Sequence, residues 1–518
     1  MRDKQLSSKR SLGQRIGLFL GAALFFAIIL FADFSPGNPA VTRMAAVALL
    51  MATWWITEAI PLWATALLPL LLFPLLGILQ GKSTAPIYVN STIFLFLGGF
   101  MIAMTMERWG LHKRIALFII RAIGGGPARI VLGFMAAAAF LSMWISNTAT
   151  AIMMVPIGLA IVSQMENRFG QKETHRFAVG LMLGIAYACS LGGIATLVGT
   201  PPNLSFARIF EITFPGAEPI SFGTWFIMGL PLSIIMLFVA WVFITRVFFR
   251  VPNHLRVDRS IVEREYTALG SPSFEEKVVF IVFTLTALLW VFRKPLNLGF
   301  ASIPGWSGLL PFPSFIDDGT VALFMAMTLF LIPARSREAD SPAIMSPKVV
   351  GRLPWNIVLL FGGGFALAKG FQVTGLSTLI GNEFAGLSNV PPFVMILVIC
   401  LVITFLTELT SNTATTEMIL PILASVAFAM QVHPLLLMIP ATLSASCAFM
   451  MPVATPPNAI VFGSGRIRIA EMARVGIVLN LVGALIIATF FYFLGSTIFG
   501  IEAGVFPDWA QSLGTAME

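Results

Sequence analysis

The sequence is short of charge. Of its 518 residues, 11% are Asp, Glu, Lys or Arg, against about 25% in soluble globular chains. A soluble chain of this length could not cover its surface with so few ionised groups, so a soluble enzyme and a disordered regulator are excluded. There are three cysteines, Cys189, Cys400 and Cys447, all inside apolar segments. That excludes a secreted disulfide scaffold, and they read as small core residues. The four histidines, His112, His175, His254 and His433, lack ligand spacing, so no metal centre is expected from them. No nucleophile–base set emerges, which excludes an enzyme. What is present is apolar: 57% of residues are hydrophobic and the mean hydropathy is +0.90. These values describe an all-α polytopic membrane protein embedded in a lipid bilayer, each span needing about 20 apolar residues.

The net charge of +8 follows from topology rather than nucleic-acid binding, because cytoplasmic loops collect Lys and Arg. Arg2, Lys4, Lys9, Arg10 and Arg15 precede a first apolar run from Ile16 to Phe34, too long for a signal peptide and without a clear cleavage site. Further apolar runs fall at 41–58, 61–79, 91–107, 129–145, 149–165, 178–199, 224–249, 276–292, 319–334, 354–371, 392–409, 413–430, 434–453 and 474–500. Two pairs of runs are joined only by Ser146-Asn147-Thr148 and Ser411-Asn412-Thr413. A polar tripeptide is too short to reach water and return, so each pair is predicted to be a re-entrant hairpin, its tip inside protein or along a wet cavity. Gly199-Thr200-Pro201-Pro202 and Ala454-Thr455-Pro456-Pro457 interrupt apolar helices, because paired prolines remove helix donors. Eleven transmembrane helices then remain, with the N-terminus cytoplasmic and the C-terminus outside. Only Arg43, Lys82, Arg208, Arg293, Lys294 and Lys369 of the 32 basic residues fall outside in this arrangement.

The chain repeats itself. Residues 146–157 align with 411–422, and eight of the twelve positions are identical. The same shift places Gly98-Gly99-Phe100 on Gly363-Gly364-Phe365, and Thr200-Pro201-Pro202-Asn203 recurs as Thr455-Pro456-Pro457-Asn458. Charge shows that the second copy is inverted. Residues 107–129 hold Arg108, Lys113, Arg114, Arg121 and Arg129, whereas 372–394 hold no basic residue. Residues 166–176 hold Arg168, Lys172 and Arg176, whereas 431–441 hold none; the bias reverses between 209–223, with none, and 464–474, with Arg466, Arg468 and Arg474. The expected organisation is a tail and first span (1–40), a first inverted repeat (41–249), a cytoplasmic linker (250–275) and a second inverted repeat (276–518). Inverted repeats with broken helices are the architecture of secondary transporters, which bind substrate near the midplane.

The tips also speak to ligand class. A helix N-terminus presents N–H groups suited to an anion, and carbonyls freed by a broken helix suit a hard cation such as Na⁺. Neither tip carries Arg or Lys, so a dianion held there would need bound cations for neutrality. Ser, Asn and Thr also act as hydrogen-bonding glue between membrane helices. Two symmetric triplets, each with a broken helix downstream, favour binding over glue.

The doubled triplets, the doubled Thr-Pro-Pro-Asn segments, and Trp55 to Leu62 with Thr65 to Pro69 together resemble the divalent anion/sodium symporter family, closest to its bacterial sodium-dependent dicarboxylate members. The resemblance covers nearly the whole chain. It implies that Asn147, Thr148, Asn412 and Thr413 hold the substrate carboxylates, with Thr200, Pro201, Thr455 and Pro456 completing the pocket. It implies one Na⁺ on Ser142, Ser146, Asn147 and the carbonyl of Gly199, and another on Thr407, Ser411, Asn412 and the carbonyl of Ala454. Ser142 and Thr407 each lie four residues before a triplet serine, on one helical face. The resemblance further implies a homodimer in the bacterial inner membrane, a scaffold and a transport domain moving as an elevator, and import of C4-dicarboxylates (succinate, malate, fumarate) with sodium. Competing readings are a sodium-independent exchanger, or a sulfate or tricarboxylate transporter, on the same fold. A sensor or channel is less consistent with paired polar hairpins.

Several features could mislead. Gly81-Lys82-Ser83 lacks the upstream glycine of a phosphate loop, since that position is Leu76. Gly124-Gly125-Gly126 reads as a loop and Gly362-Gly363-Gly364 as close helix packing. Glu58 is expected at an inner turn facing water, and Lys369 to snorkel near a helix end. Glu408 and Glu417 flank the second triplet at positions equivalent to Met143 and Ile152. Each fits either a structural hydrogen bond or tuning of the cation site.

Overall fold

The computed structural model describes residues 10–252, 260–297, 302–336, 341–384, 386, 390–502 and 505–513. Arg2, Lys4, Lys9, His254 and Ser388 lie outside the described residues. Helices make up the molecule, and among the described residues the strands are one short antiparallel pair, Leu296–Asn297 with Ser302–Ile303.

α1 (Leu12–Phe31) begins where Ser11 and Gln14 close a capping box, which satisfies two N–H groups that the helix cannot. It packs along α2 (Pro39–Thr57) and leaves Leu12, Phe19, Leu30 and Phe31 exposed, a surface that suits hydrocarbon. The run 61–79 is not one helix. It divides into α3 (Leu62–Thr65) and α4 (Leu68–Leu75), followed by the single turn α5 (Gly81–Thr84). Pro69 disfavours helix in the residue before it, and Pro74 ends the second piece. Then come α6 (Ser91–Arg108), α7 (Leu111–Ile123), α8 (Pro127–Ser142), α9 (Asn147–Phe169), α10 (Gln171–Gly193), α11 (Pro201–Thr213) and α12 (Phe222–Val242).

The segment 107–129, expected as a loop, contains the amphipathic helix α7. It buries Leu111, Ala116, Leu117 and Ile120. The 250–275 linker likewise contains a helix, α13 (Ser260–Ala268), followed by α14 (Phe274–Val291). Acidic groups of these two helices meet the basic face of α7: Lys113 with Glu265 at 2.8 Å, Arg121 with Glu263 at 3.0 Å, and Arg114 with Glu276 at 3.0 Å. The first two pairs are half-exposed, and such pairs contribute little. Arg114 is buried and also donates to the carbonyls of Leu269 and Gly270, so its removal would strand Glu276.

The second half continues with α15 (Asp318–Leu331), α16 (Trp355–Thr374), α17 (Leu376–Phe384), α18 (Pro392–Thr407), α19 (Asn412–Ala429), α20 (Leu435–Ala445), α21 (Pro456–Phe462) and α22 (Ile469–Phe490). The repeat is visible element by element. α8 and α18 start on Pro127 and Pro392 and end on Ser142 and Thr407. α12 and α22 both run on into a π-helical turn, Phe243–Phe248 and Phe491–Gly495. By length and apolarity, eight helical stretches among the described residues can cross a membrane and five shorter ones are apolar.

The inversion has a structural counterpart. At the base of the first hairpin, Glu166 on α9 pairs with Arg466 at 2.7 Å, and His175 at the start of α10 pairs with Glu471 at 2.8 Å. The base of the second hairpin packs against the C-terminal segment, where Trp509 meets His433 and Phe428 meets Phe506. Trp509 also meets Phe210 and Phe214 at the end of α11. The broken helix α10–α11 therefore runs from the base of one hairpin to the base of the other, and the two tips point toward each other.

The halves are interlocked. α6 packs on α14 and α15, and α16 packs on α2, α3 and α4. Two glycines of α16 allow close approach on this side: a Cβ at Gly362 would enter the Tyr88 ring, and one at Gly363 would strike Ala66. Tyr88 in turn donates to the Ala66 carbonyl at 2.6 Å.

Charge reversal between equivalent segments makes a direct test. Asn382 is exposed on α17, and Gln171 is exposed at the start of α10. Cysteines introduced singly at Gln171 and Asn382 are expected to react with an impermeant maleimide from opposite faces of sealed vesicles. Reaction from one common face would contradict the inverted arrangement.

Candidate functional site

The first hairpin turns at residues 143–146, between α8 and α9. Ser146 caps α9 by accepting the Ala149 N–H at 3.2 Å. The Ser142 hydroxyl lies within hydrogen-bond reach of two acceptors, Asn147 Oδ1 and the Cys189 carbonyl, the latter at 2.6 Å. A hydroxyl has one proton to give. Three oxygens therefore share one proton. The second hairpin repeats this: Thr407 Oγ1 stands 2.6 Å from Asn412 Oδ1 and 3.0 Å from the Ala445 carbonyl. Each cluster has more acceptors than protons, the composition of a hard-cation site. Because each Asn turns its carbonyl oxygen to the hydroxyl, its amide NH₂ is the end left for an anion.

The broken helices complete these clusters. α10 stops at Gly193, and residues 194–200 are non-helical before α11. Gly193 and Gly199 lie so close that a Cβ on either would meet the other's carbonyl, and the same space at Gly193 faces Asn147 Oδ1 at 3.1 Å. The Gly199 carbonyl and Asn147 Oδ1 thus converge on one point. Pro201–Pro202 and Pro456–Pro457 open α11 and α21, where a missing N–H costs nothing. These segments present hydroxyls and carbonyls, while the hairpin tips keep free N–H groups.

Sequence reasoning missed what holds the unwound segments. Asn203 Nδ2 donates to the carbonyls of Thr196 at 2.7 Å and Gly193 at 3.2 Å. Asn458 Nδ2 donates to those of Ala448 and Met451, both at 3.1 Å. The signal was the repeated asparagine three positions after each threonine. Glu408 accepts the N–H groups of Phe449, Met450 and Met451 at 2.6, 2.8 and 3.0 Å and the Asn480 amide at 2.7 Å. At the equivalent place in the first repeat, the Met143 carbonyl accepts from Thr196 Oγ1 at 2.5 Å. Glu408 therefore clamps hairpin to broken helix, the structural alternative for this residue. Glu417 is fully buried, with Oε1 bonded to Ser205 Oγ and no partner on Oε2.

The two tips and the two broken helices enclose one cavity of about 740 Å³. Asn147, Thr148, Thr200, Pro201, Asn412, Thr413, Thr455 and Pro456 all line it, as do Ser146, Gly199, Ser411 and Ala454. Ser142 and Thr407 stand fully buried just behind, bonded to Asn147 and Asn412. The N-termini of α9 and α19 face inward, each carrying a partial positive charge. Among the described residues no Lys or Arg lines the cavity. The opposite wall is mostly apolar, with Leu62, Phe96, Phe100, Ile357 and Leu360, and Asn356 of α16 is its polar member. The mouth lies beside Ser11, Gln14 and Glu58, with Glu58 in the left-handed region at φ +47° where α2 ends. A second cavity of about 760 Å³ lies at the other end, lined by Glu218, Lys294, His433 and Trp509 among others, and contains none of the repeated motifs.

Residues 14–501 match the family model described as the sodium:sulfate symporter transmembrane region. The sodium-dependent dicarboxylate transporter SdcS of Staphylococcus saprophyticus is 44% identical over 507 residues, covering 96% of this chain and 95% of the relative. SdcS of Staphylococcus aureus strain MRSA252 is also 44% identical, over 499 residues, covering 95% and 93%. Two solved transporters share the fold at low identity. YdaH of Alcanivorax borkumensis has a TM-score of 0.56 at 14% identity, covering 87% of this chain and 98% of that one. MtrF of Neisseria gonorrhoeae has a TM-score of 0.55 at 13% identity, covering 92% and 98%. The chain belongs to the sodium:sulfate symporter family, the divalent anion/sodium symporters, and is a membrane transport protein rather than an enzyme.

Proposed function

We propose that the protein carries a C4-dicarboxylate, such as succinate, malate or fumarate, across the membrane together with Na⁺. One observation carries this reading: two symmetric oxygen clusters, each with an excess of acceptors over protons, flank a cavity that no basic residue lines among the described residues. A dianion in such a cavity is attracted by the N-termini of α9 and α19 but, among the described residues, is not neutralised by any basic side chain. Two Na⁺ ions, one on Ser142, Ser146, Asn147 and the Gly199 carbonyl and one on Thr407, Ser411, Asn412 and the Ala454 carbonyl, make the loaded site neutral. The amides of Asn147 and Asn412 and the hydroxyls of Thr148, Thr413, Thr200 and Thr455 then orient the carboxylates, with Pro201 and Pro456 shaping the floor. The names of the 44%-identical relatives support sodium and dicarboxylate as the pair.

The same reading includes an elevator. The polar groups of the tips belong to the hairpins α8–α9 and α18–α19 or to the broken helices, and the facing wall of α6 and α16 is mostly apolar, with Asn356 of α16 as its polar member among the described residues. Cargo contacts that all ride on one body, against a smooth wall, permit that body to slide without exchanging hydrogen bonds. The reading also comprises eleven crossings, two repeats joined by the 250–275 linker, and a homodimer in a bacterial inner membrane. The N-terminus and the cavity mouth then face the cytoplasm. Family resemblance alone supports the dimer.

Three outcomes test the reading. In proteoliposomes, labelled succinate should accumulate only under an inward Na⁺ gradient, and choline should not replace Na⁺. Undiminished exchange without sodium would establish an exchanger, and stronger competition by sulfate or citrate would move the substrate class. Asn147→Ala and Asn412→Ala each remove a polar contact in a desolvated site, worth about 1–3 kcal/mol, so succinate affinity should fall roughly tenfold to a hundredfold with insertion unchanged. Near-normal uptake in both variants would reduce the tips to structural glue. Ser142→Ala and Thr407→Ala remove cation ligands, and neither side chain lines the cavity. They should raise the Na⁺ concentration for half-maximal uptake more than they raise the succinate KM at saturating Na⁺. By reciprocity, succinate should tighten Na⁺ binding in the unaltered protein.

A further inference from the structure

Glu417 belongs to neither oxygen cluster. It lies on α19, five residues past Asn412, and its equivalent in the first repeat is Ile152. Its side chain is fully buried. Oε1 meets Ser205 Oγ on α11, which is equally buried, and Oε2 has no partner. Oε2 occupies the space that a Cβ at Gly364 of α16 would fill. The carboxyl is therefore pressed flat on the glycine patch of the wall helix, at the contact between the hairpin body and the wall.

Among the described residues no counter-charge pairs with it. On the neighbouring elements, Arg208 of α11 pairs with Glu211 at 2.7 Å, and Lys369 of α16 donates to Gln372 at 2.7 Å. Glu408 is taken up by the N–H groups of residues 449–451. His433 packs on Trp509, and burial pushes its imidazole down to about 4, so it stays neutral around neutral pH. Arg43 of α2, Glu383 of α17, Tyr88 beside α16 and Asp508 near the C-terminus make no hydrogen bond or ion pair with Glu417. An isolated ionised carboxylate in such surroundings is costly and is neutralised instead. A sodium ion would need several further oxygens and the room to hold them, whereas the seat on Gly364 is filled by the carboxyl itself.

We propose that Glu417 is a proton-binding site, occupied when the carboxyl is seated on Gly364 and emptied to water when the hairpin body moves off α16. The proposal rests on the elevator reading above. Proton binding then favours the seated arrangement, in which the cavity opens beside α1, because a ligand shifts a conformational equilibrium toward the state that binds it better. The protein thereby gains a pH-dependent bias that is separate from protonation of the substrate.

The test uses the full-length protein in sealed vesicles of known orientation. Val453 lines the cavity and is 83% exposed, so Val453→Cys reports opening when an impermeant maleimide is added at the face where α1 begins. Rates are divided by those of Val453→Cys carrying Glu417→Gln, which cancels the thiol's own pH dependence. With Glu417 as the proton site, the ratio should rise on acidification by up to about tenfold per pH unit. Gly364→Ala should evict the carboxyl and flatten the pH dependence with slow labelling throughout. A ratio that is flat with pH overturns the proposal and leaves the transport reading standing. A ratio that follows Na⁺ concentration at fixed pH overturns the proton assignment in favour of sodium. Labelling from both faces at once, whatever the ligand, overturns the elevator reading itself.

Discussion

Unwound backbone at membrane depth must find a hydrogen-bond partner for every group that a helix would have satisfied. This constraint shapes the molecule. Residues 194–200 and 446–455 leave the helical ladder because paired prolines open the following helices. Carbonyls on these stretches are gathered by Asn203 and Asn458. N–H groups on the second stretch are gathered by Glu408, for which the first stretch has the simpler bond from Thr196 to the Met143 carbonyl. These bonds hold the two broken helices beside the two hairpin tips. Without them the Gly199 carbonyl would not stand next to Asn147 Oδ1, and the cluster of oxygens would not exist.

The same clamps explain how a site made of neutral groups can discriminate charge. An Asn whose carbonyl end is fixed by a hydroxyl shows its NH₂ to the cavity and its oxygen to the cation side. Ser142 and Thr407 therefore sort the two ends of Asn147 and Asn412. Both residues are buried and make no contact with the cavity themselves. On the proposed reading one amide serves anion and cation at once, which ties the two ligands together without any ionised side chain between them. Replacing either asparagine by a fixed positive charge would neutralise the anion directly and remove the reason for sodium.

Much of this was legible in the sequence. Doubling of the triplets and of Thr-Pro-Pro-Asn marked both tips and both breaks, because polar residues and proline pairs are conspicuous against an apolar background. Charge bias gave the inversion. Gly362-Gly363-Gly364 was rightly read as a packing surface, and its occupants are Tyr88, Ala66 and Glu417. Local pattern could not show partners far apart in the chain. Asn203 and Asn458 were part of a motif without a task, since their acceptors are carbonyls that carry no sequence signature. α7 and α13 were hidden because short amphipathic helices rich in charge look like loops when apolar runs are the signal sought. Glu417 stood out as an intramembrane carboxyl, yet its seat on Gly364 and its contact with Ser205 of the other repeat exist only in three dimensions.

Sequence symmetry and packing also divide the chain differently. By sequence the repeats are consecutive, with the linker between them. By packing, α6 of the first repeat rests on α14 and α15 of the second, and α16 of the second rests on α2, α3 and α4 of the first. Each wall helix is thus supported by the opposite repeat, and the end of the linker is held onto α7 by Arg114, which bonds Glu276 and the carbonyls of Leu269 and Gly270. An exchange of this kind gives the wall a rigidity that neither repeat could supply alone. The cavity needs that rigidity, because its polar half is built on hairpins whose tips are held by side-chain bonds instead of helical ones. On the elevator reading proposed above, a firm, mostly apolar wall facing a clamped polar body is the combination that lets one body move past the other while both stay folded.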